Sequence, residues 1–445
     1  MDIKAIVKHL RDEGIVAVMQ RAYRRHHREN KPFRILLLTN RDSDNVGDQI
    51  IEACDISLVK AVMQDLGISK NQYVITSLPA FFISKSYKVL NTDAPDPKTV
   101  IAQSDVVLFG GAPMFNYKYQ DFYRRSIDVI KIARKYGKPV LFSAIGIDAY
   151  DEDDARCQAL KAELNSGTVP MITTRDGMTY LEHYKENDTL TIAKVADPAV
   201  FSGSVFRPYL AKKSRDGKRT VGLFVFRAGG FRANGIDFSR TQAAEMWLRL
   251  IKEIQARGYD YELLTSGHFA DEAFMEYLIS AYKVDDKKCV FNINCPEDLI
   301  NRISSYAGVV SCRLHPSIIS YALDVPSVGI IWNSKVSGFY ESVGYGERAF
   351  TVSDLDVKKL MDGLEQAMGC VIAKDKQYLM SVYAYLADAL SGITHNNRRY
   401  ASESYSELCK RIPPYEGTTQ EQLQMKIRDK FRRAYRAYNK VLTKK

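Results

Sequence analysis

Short apolar runs alternate with longer helical stretches through most of the chain. The runs are five or six residues long and are bounded by polar or turn-forming residues. Runs of this length are typical of strands in a parallel sheet that helices cover on both faces. Because strand and helix alternate, the pattern predicts a doubly wound α/β domain. The predicted strands of the first half include 34–39, 105–109, 139–143 and 170–174.

The pattern stops at a polar, turn-rich stretch and then starts again. Residues 202–218 have the composition of a linker, and 219–226 is predicted to be the first strand of a second α/β half. We therefore expect two Rossmann-like domains that face each other across a central cleft. The predicted boundaries are 34–205 for the first domain and 219–390 for the second, with helical segments at 1–33 and 391–445.

Both ends of the chain are predicted to form basic amphipathic helices. At 100° per residue, the apolar side chains of 421–442 fall in one arc of about 120°, and Lys and Arg take the remainder. Such a helix either lies on an anionic membrane surface or packs on the body with its basic side in solvent. The sequence alone leaves both interpretations open.

Positive charge is concentrated at these ends. The chain has a net charge of +10, whereas residues 1–34 carry +5 and residues 421–445 carry +7, so the body is close to neutral. This distribution does not favour nucleic-acid binding, which usually spreads basic residues along a groove. It favours docking on an anionic membrane.

Other features place the protein inside the cell. No stretch approaches the roughly 20 apolar residues of a membrane span, and 1–34 lacks the apolar core of a secretory signal. The seven cysteines are scattered without a C-x-x-C pair, which favours reduced thiols. We expect a cytoplasmic protein that is peripheral on the inner face of the cell membrane.

The strongest candidate site follows the predicted strand 308–311. Arg313 and His315 lie at the turn from that strand into a helix, and Lys335 follows the next strand. Doubly wound folds bind ligands at the carboxyl ends of strands, and a helix N-terminus there favours phosphate or carboxylate. Arg313 can clamp such an anion, and His315 exchanges protons near neutral pH. The alternative is a structural ion pair for Arg313 and a capping role for His315.

Five short motifs occur in order along residues 34–355. They are Asn45-Val-Gly-Asp-Gln49, Asp105-Val-Val-Leu-Phe-Gly-Gly111, Thr174-Arg-Asp176, Val195-Ala-Asp-Pro-Ala-Val-Phe201, and the segment from Arg313-x-His315 to Lys335. Each is short, but together and in this order they resemble the polysaccharide pyruvyl transferase family. Ala112, Asp324 and Trp332 depart from the family pattern, and none of them replaces a charged site residue.

The resemblance implies a GT-B-like fold and transfer of a pyruvyl group from phosphoenolpyruvate to a sugar. The product is a cyclic ketal on a glycan that is often lipid-linked. Because phosphoenolpyruvate carries a phosphate and a carboxylate, several cations should surround it, and Arg227, Arg313 and Lys335, with Ser334, are the expected donor-binding residues. His315 is the candidate acid or base at the enol carbon. No metal or other cofactor is expected, since cations and a helix N-terminus can neutralise phosphate.

The acceptor sugar is expected in the first domain. Asn45, Gly47 and Asp48 occur at a strand-to-helix turn facing the cleft, and Asp48 is a candidate to take the proton of the attacking hydroxyl. Gly110 and Gly111 would let the backbone approach the sugar. The alternatives are an N-cap and turn glycine at 45–48 and tight helix–strand packing at the two glycines.

Two other functions stay open. The charge at 311–317 also suits a nucleotide diphosphate, so the chain could be a GT-B glycosyltransferase, although no acidic residue after Pro326 is placed to bind a donor ribose. The third hypothesis is a non-catalytic scaffold for glycan synthesis. The presence of Arg313, His315 and Lys335 together argues against it.

Overall fold

The computed structural model describes both predicted domains and most of the C-terminal segment. The structure describes residues 31–117, 122–211, 219–353, 355–396 and 403–442. The predicted N-terminal basic segment, 1–33, lies almost wholly outside these ranges.

The first domain is built on a six-stranded parallel sheet. Its strands are β1 (Phe33–Thr39), β2 (Tyr73–Pro79), β3 (Val106–Phe109), β4 (Val140–Ile145), β5 (Met171–Thr174) and β6 (Thr191–Lys194). They lie in the order β2-β1-β3-β4-β5-β6, and β3, β4 and β5 are buried along their whole length, as expected for a sheet covered on both faces. The helices are α1 (Val46–Asp65), α2 (Lys85–Leu90), α3 (Pro97–Gln103), α4 (Phe122–Lys135), α5 (Ala155–Leu164), α6 (Met178–Tyr184) and α7 (Ser202–Val205).

The second domain repeats this architecture. Its strands are β7 (Thr220–Phe224), β8 (Asp260–Leu264), β9 (Cys289–Val290), β10 (Gly308–Ser311), β11 (Ser327–Ile331) and β12 (Ala349–Thr351). They form a parallel sheet in the order β12-β11-β10-β7-β8-β9. The helices are α8 (Ala228–Ala233), α9 (Arg240–Ala256), α10 (Phe269–Tyr282), α11 (Pro296–Ser305), α12 (Leu314–Ala322), α13 (Ser334–Ser342) and α14 (Val357–Met368).

Three further helices end the described chain, namely α15 (Lys376–Thr394), α16 (Tyr405–Arg411) and α17 (Gln420–Leu442). Helix α15 returns to the first domain and packs on α1, β4 and β5. Its buried side chains, including Leu379 and Leu386, share one apolar core with α1. The predicted domain boundary at 390 therefore needs correction, because it cuts a helix that belongs by its packing to the first domain.

The carboxyl ends of the two sheets face each other, as predicted. The backbone N–H of Val46, at the start of α1, donates to the carbonyl of Ser266, in the turn after β8, at 2.7 Å. The turn after β1 thus meets the turns after β8 and β10. The prediction of two Rossmann-like domains around a central cleft is confirmed.

Candidate active site

A hydrogen bond between Asn45 and His315 joins the two domains at the centre of the cleft. The N-cap residue of α1, Asn45, accepts the backbone N–H of Gly47 with its side-chain oxygen. Its amide nitrogen therefore faces Nδ1 of His315, at 3.1 Å. Because an amide nitrogen only donates, Nδ1 must accept, and the proton of the neutral ring lies on Nε2.

The environment of His315 keeps its imidazole neutral. The side chain is buried in the first turn of α12, and burial lowers its pKa well below the ordinary value. The positive charges of Arg175, Arg313 and Lys335 lower it further. Nε2 is buried and has no hydrogen-bond partner among the described residues. The N–H of Nε2 is thus a buried donor without an acceptor in the described chain.

Gly47 makes this contact possible because it lacks a side chain. A Cβ atom at this position would lie 2.3 Å from Nδ1 of His315, far inside van der Waals contact. The glycine of the Asn45 motif is therefore required for the two domains to approach each other here. This role of Gly47 is structural, because it concerns packing between the domains. Sugar binding by Gly47 stays a prediction.

Two arginines of the second domain share one buried carboxylate. Arg227 donates from Nη1 to Oδ1 of Asp271 at 2.8 Å, and Arg313 donates from Nε to Oδ2 at 3.0 Å. The carboxylate is fully buried, and although burial alone would raise its pKa, the charge of Arg313 helps to hold the pKa below the usual value. Within the described chain, Nη1 of Arg313 and Nη2 of Arg227 keep no protein acceptor. This arrangement orients both guanidinium groups and leaves N–H groups for an anion.

Aromatic side chains fix the position of Arg313. Its guanidinium carbon lies 4.4 Å from the ring centre of Phe226, in cation–π contact. Trp332 packs on Phe226 with ring centres 4.6 Å apart. The indole N–H of Trp332 is buried and finds no acceptor in the described structure. It is a further free donor beside the arginines.

Lys335 and Ser334 open helix α13, where the side chain of Asn333 accepts the N–H of Lys335 at 3.1 Å. The ammonium group of Lys335 forms an ion pair with Asp148 of the first domain, so this residue also spans the cleft. Ser334 is exposed at the first position of the helix. The structure therefore places Lys335 within electrostatic reach of His315, and Ser334 at the rim.

Asp48 lies in the first turn of α1, and its side chain is buried. Its Oδ2 accepts from the amide of Asn40 at 2.9 Å. Burial raises its pKa, although hydrogen bonds from Ser43 and Asn40 and the charge of Arg175 oppose the shift. A carboxylate with a raised pKa is a better proton acceptor at neutral pH than an ordinary one.

The glycines at 110 and 111 occupy tightly packed positions. A Cβ at Gly110 would lie 2.2 Å from Oδ2 of Asp55, and one at Gly111 would lie 2.9 Å from Ile51. The N–H of Gly111 donates to Asp55 at 3.2 Å. Packing against α1 accounts for both glycines, and acceptor binding by them stays a prediction.

Arg175 and Asp197, at the ends of neighbouring strands, form a buried ion pair within the first domain. Nη1 of Arg175 lies 2.5 Å from Oδ2 of Asp197 and also donates to the carbonyl of Gly111 at 2.9 Å. Both residues belong to the first domain, so this ion pair does not join the domains. The charge of Arg175 still acts on His315.

Asp271 could not be identified from the sequence, and the buried His268 lies beside it. Asp271 is in the first turn of α10, where acidic residues are common for helix stability alone, so nothing in the sequence marks it. His268 stands at the N-cap position of α10, but its side chain makes no capping bond. Burial, then the charge of Arg313, lowers its pKa to about 3.

The C-terminal helix α17 spans the two domains beside this site. Lys426 donates to the carbonyl of Ser43 in the first domain, and Lys430 donates to Glu272 in the second at 2.7 Å. Arg433 donates to Asp44 at 2.8 Å. Part of the basic side therefore packs on the body, so the expected packing with the basic side in solvent is wrong. Among the described helices, none is long and apolar enough to cross a membrane.

The comparison with protein families gives one clear match. Residues 3–334 match the model described as polysaccharide pyruvyl transferase. The match includes the turns that hold Asn45, Arg313 and His315, and it ends one residue before Lys335. No match was found among curated proteins.

Solved structures of low sequence identity resemble this one. A Listeria monocytogenes protein assigned as a UDP-N-acetylglucosamine 2-epimerase is 11% identical, with a TM-score of 0.53 over 82% of this chain and 98% of that one. The UDP-GlcNAc 2-epimerase of Methanocaldococcus jannaschii is 13% identical, with a TM-score of 0.48 over 81% and 100%. The architecture is of the GT-B type, and the likeness extends to the fold alone.

Proposed function

The chain belongs to the polysaccharide pyruvyl transferase family, and from this premise we propose that it transfers the pyruvyl group of phosphoenolpyruvate to a sugar. The sugar belongs to a cell-surface polysaccharide or its lipid-linked precursor, and the product is a pyruvate ketal. The observation that supports the donor most directly is the pair of arginines on Asp271. Arg227 and Arg313 leave N–H groups free at the carboxyl end of the second sheet.

The donor fits this cluster by charge and by hydrogen bonding. The phosphate would accept from Arg227, Arg313 and the N–H of Trp332, and the carboxylate would lie toward Lys335 and the N-terminus of α13. Guanidinium groups bind phosphate and carboxylate in paired hydrogen bonds. On binding, the anion would compete with Asp148 for Lys335.

The reaction needs one proton delivered and two removed. Carbon 3 of phosphoenolpyruvate takes a proton and becomes the methyl group, and a sugar hydroxyl oxygen bonds to carbon 2 while losing its proton to a base. The second hydroxyl then bonds to carbon 2 as the C–O bond to phosphate breaks, and its proton leaves with inorganic phosphate. One donor and one diol thus yield one ketal and one phosphate.

His315 and Asp48 are the groups placed for these proton transfers. Without ligand, His315 is neutral because of burial and of the cations near it. A bound phosphate would offset those charges and raise the pKa of the imidazole. Nδ1 would then take up a proton as its hydrogen bond from Asn45 is released, and the imidazolium would deliver its Nε2 proton to carbon 3. Asp48, with its raised pKa, would accept the hydroxyl proton.

We also propose that the enzyme works at the inner face of the cell membrane. Along α17, the side chains of Phe431 (71% exposed), Tyr435 (56%), Tyr438 (59%) and Ile427 (47%) point away from the body. Exposed arginines such as Arg428 accompany this apolar stripe. Aromatic residues beside arginine suit the interface of an anionic bilayer.

A thermal-shift titration with phosphoenolpyruvate, UDP-N-acetylglucosamine and inorganic phosphate tests the donor. A ligand that binds the folded state raises the melting temperature. We expect a shift with phosphoenolpyruvate that Arg313→Ala abolishes and that the matched control Arg249→Ala, an exposed arginine on α9, retains. A shift with the nucleotide sugar and none with phosphoenolpyruvate would favour glycosyl transfer instead.

A further inference from the structure

A pocket of about 510 Å³ lies between α17 and the first domain. We call it the α17 pocket. Its walls are the turn after β1, the outer face of α1, the segment from the end of β2 to α2, and the inner side of α17. None of the donor-binding residues lines it, so it is a site separate from the arginine pair on Asp271.

The α17 pocket has an excess of positive charge. Five cationic side chains line it, against three carboxylates, those of Asp42, Glu52 and Asp429. The carboxylates are already engaged: Glu52 pairs with Arg41 at 3.1 Å, Asp429 with Arg432 at 3.4 Å, and Asp42 with Arg433 at 3.8 Å. The cations are Arg41, Lys426, Arg432, Arg433 and Arg436.

Within the described chain, two of these cations have no carboxylate in direct contact. No hydrogen bond or ion pair joins Arg436 to another residue in the described parts of the chain. The ammonium group of Lys426 donates to a backbone carbonyl, and burial lowers its pKa to about 8, so it is still charged at pH 7. A buried cation of this kind gains from an arriving anion.

Apolar side chains form a large part of the opposite wall, beside Arg41 and Glu52. They come from α1, β2, the turn that follows it and α2, and this apolar part of the wall continues to the protein surface at Leu90, which is 36% exposed. A pocket that combines cations with aliphatic and aromatic groups fits a ligand with an anionic group and an apolar chain. The apolar residues used in this argument are Ile56, Leu78, Phe81, Tyr87 and Leu90.

The pocket lies near the acceptor side of the cleft. Glu52, on its wall, stands one helical turn from Asp48 on the same face of α1, a rise of about 6 Å. At the other end, α17 presents the exposed stripe with Phe431 to the outside. A ligand in the pocket would therefore extend from the proposed membrane-facing side toward Asp48.

We propose that the α17 pocket binds a lipid phosphate or diphosphate, with the phosphate on Lys426, Arg432 and Arg436 and the chain along the apolar wall. Resting on the proposed function, this ligand is the carrier that presents the acceptor sugar to Asp48. The carrier is then held by the first domain and α17, while the donor is held by the second domain.

Isothermal titration of the full-length protein with farnesyl diphosphate, farnesol and inorganic pyrophosphate tests the proposal. We expect farnesyl diphosphate to bind, and the double variant Arg432→Ala/Arg436→Ala to weaken it at least tenfold. Arg428→Ala is the matched control, since it removes an arginine of the same helix that does not line the pocket. Farnesol has only the apolar chain and pyrophosphate has only the anionic group. Each should bind at least tenfold more weakly than farnesyl diphosphate.

Two results would overturn the inference. Equal loss in the double variant and in Arg428→Ala would mean that the general charge of α17 is responsible. Equal binding of pyrophosphate and farnesyl diphosphate would mean that the apolar wall does not contribute to ligand binding. Titration of the same variants with phosphoenolpyruvate tests donor binding separately. If phosphoenolpyruvate does not bind but farnesyl diphosphate does, the proposed function is rejected and the lipid phosphate site is retained.

Discussion

The side-chain amide of Asn45 in the first domain donates to Nδ1 of His315 in the second, at 3.1 Å. The same side chain caps α1 through Gly47, so the amide cannot turn round without losing the cap. The start of a helix in one domain thereby sets the tautomer of a histidine in the other. His315 keeps its proton on Nε2, the nitrogen that has no hydrogen-bond partner among the residues described.

Asn45→Asp should reverse this tautomer. A carboxylate only accepts hydrogen bonds, so Nδ1 would have to carry a proton, and the negative charge would raise the pKa of His315. Nitrogen-15 NMR of the histidine ring is expected to show titration at a higher pH in the variant than in the parent. Identical spectra, with His315→Gln used to assign the signal, would contradict the role given to Asn45.

Gly47→Ala should disrupt the contact between the domains. The new Cβ would lie 2.3 Å from His315, and overpacking of this kind costs about 1–3 kcal/mol. The control is Gly392→Ala, a position in α15 with no atom within 4 Å of the new Cβ. Chemical unfolding should show lower stability for Gly47→Ala, whereas the control should be unchanged or more stable by up to about 1 kcal/mol.

Asp271→Asn should destabilise the protein and enlarge the response to the donor. Without the carboxylate, Arg227 and Arg313 lose their shared counter-charge, and removing one partner of a buried ion pair costs about 3 kcal/mol. A bound phosphate would replace that charge. The melting-temperature shift with phosphoenolpyruvate should exceed that of the parent, and an unchanged or smaller shift would place the anion elsewhere.

The buried His268 should make stability fall in mild acid. Its pKa is about 3 in the folded protein and about 6.5 when unfolded, so between these values the unfolded chain binds the extra proton. The neutral His268 contributes fully to the free energy of unfolding above about pH 6.5. This contribution is lost as the pH falls, by up to about 2 kcal/mol at pH 5. His268→Gln removes this contribution. Urea unfolding should show a smaller loss from pH 7 to pH 5 in the variant than in the parent, and parallel losses would disprove the assignment.

The exposed stripe of α17 should bind anionic membranes. Phe431→Ser with Tyr435→Ser removes two of its aromatic side chains and should reduce co-sedimentation with vesicles that contain anionic lipid by at least fivefold. Val371, 94% exposed outside α17, supplies the control Val371→Ser. If both variants sediment like the parent, α17 does not bind the membrane through this face.

The fold was predictable because its signals are local. Apolar runs as short as 105–109 can only be buried strands, and their alternation with helices leaves few arrangements. The turn glycine and the N-cap at 45–48 were also open to prediction, since capping depends on neighbouring residues. The boundary at 390 failed because α15 packs on a core more than 300 residues earlier in the chain, such as that around Leu58.

The site was only partly predictable. Arg313, His315 and Lys335 stand where the sequence placed them, at strand ends. Their partners, Asp271 and Asp148, come from other turns, and only the folded chain brings them together. The orientation of α17 could not be derived from its periodicity, because an amphipathic pattern does not say which face finds acidic groups on the body.

The central claim is transfer from phosphoenolpyruvate, and product formation tests it most directly. The purified protein would be incubated with phosphoenolpyruvate and a lipid-linked glycan extract, with phosphate release and glycan mass followed together. The account predicts that phosphate is released only when glycan is present. It also predicts that the glycan gains the mass of one pyruvic acid less one water, and that both signals vanish in Arg313→Ala but not in Arg249→Ala. Transfer of a sugar mass from a nucleotide sugar, without any from phosphoenolpyruvate, would contradict it.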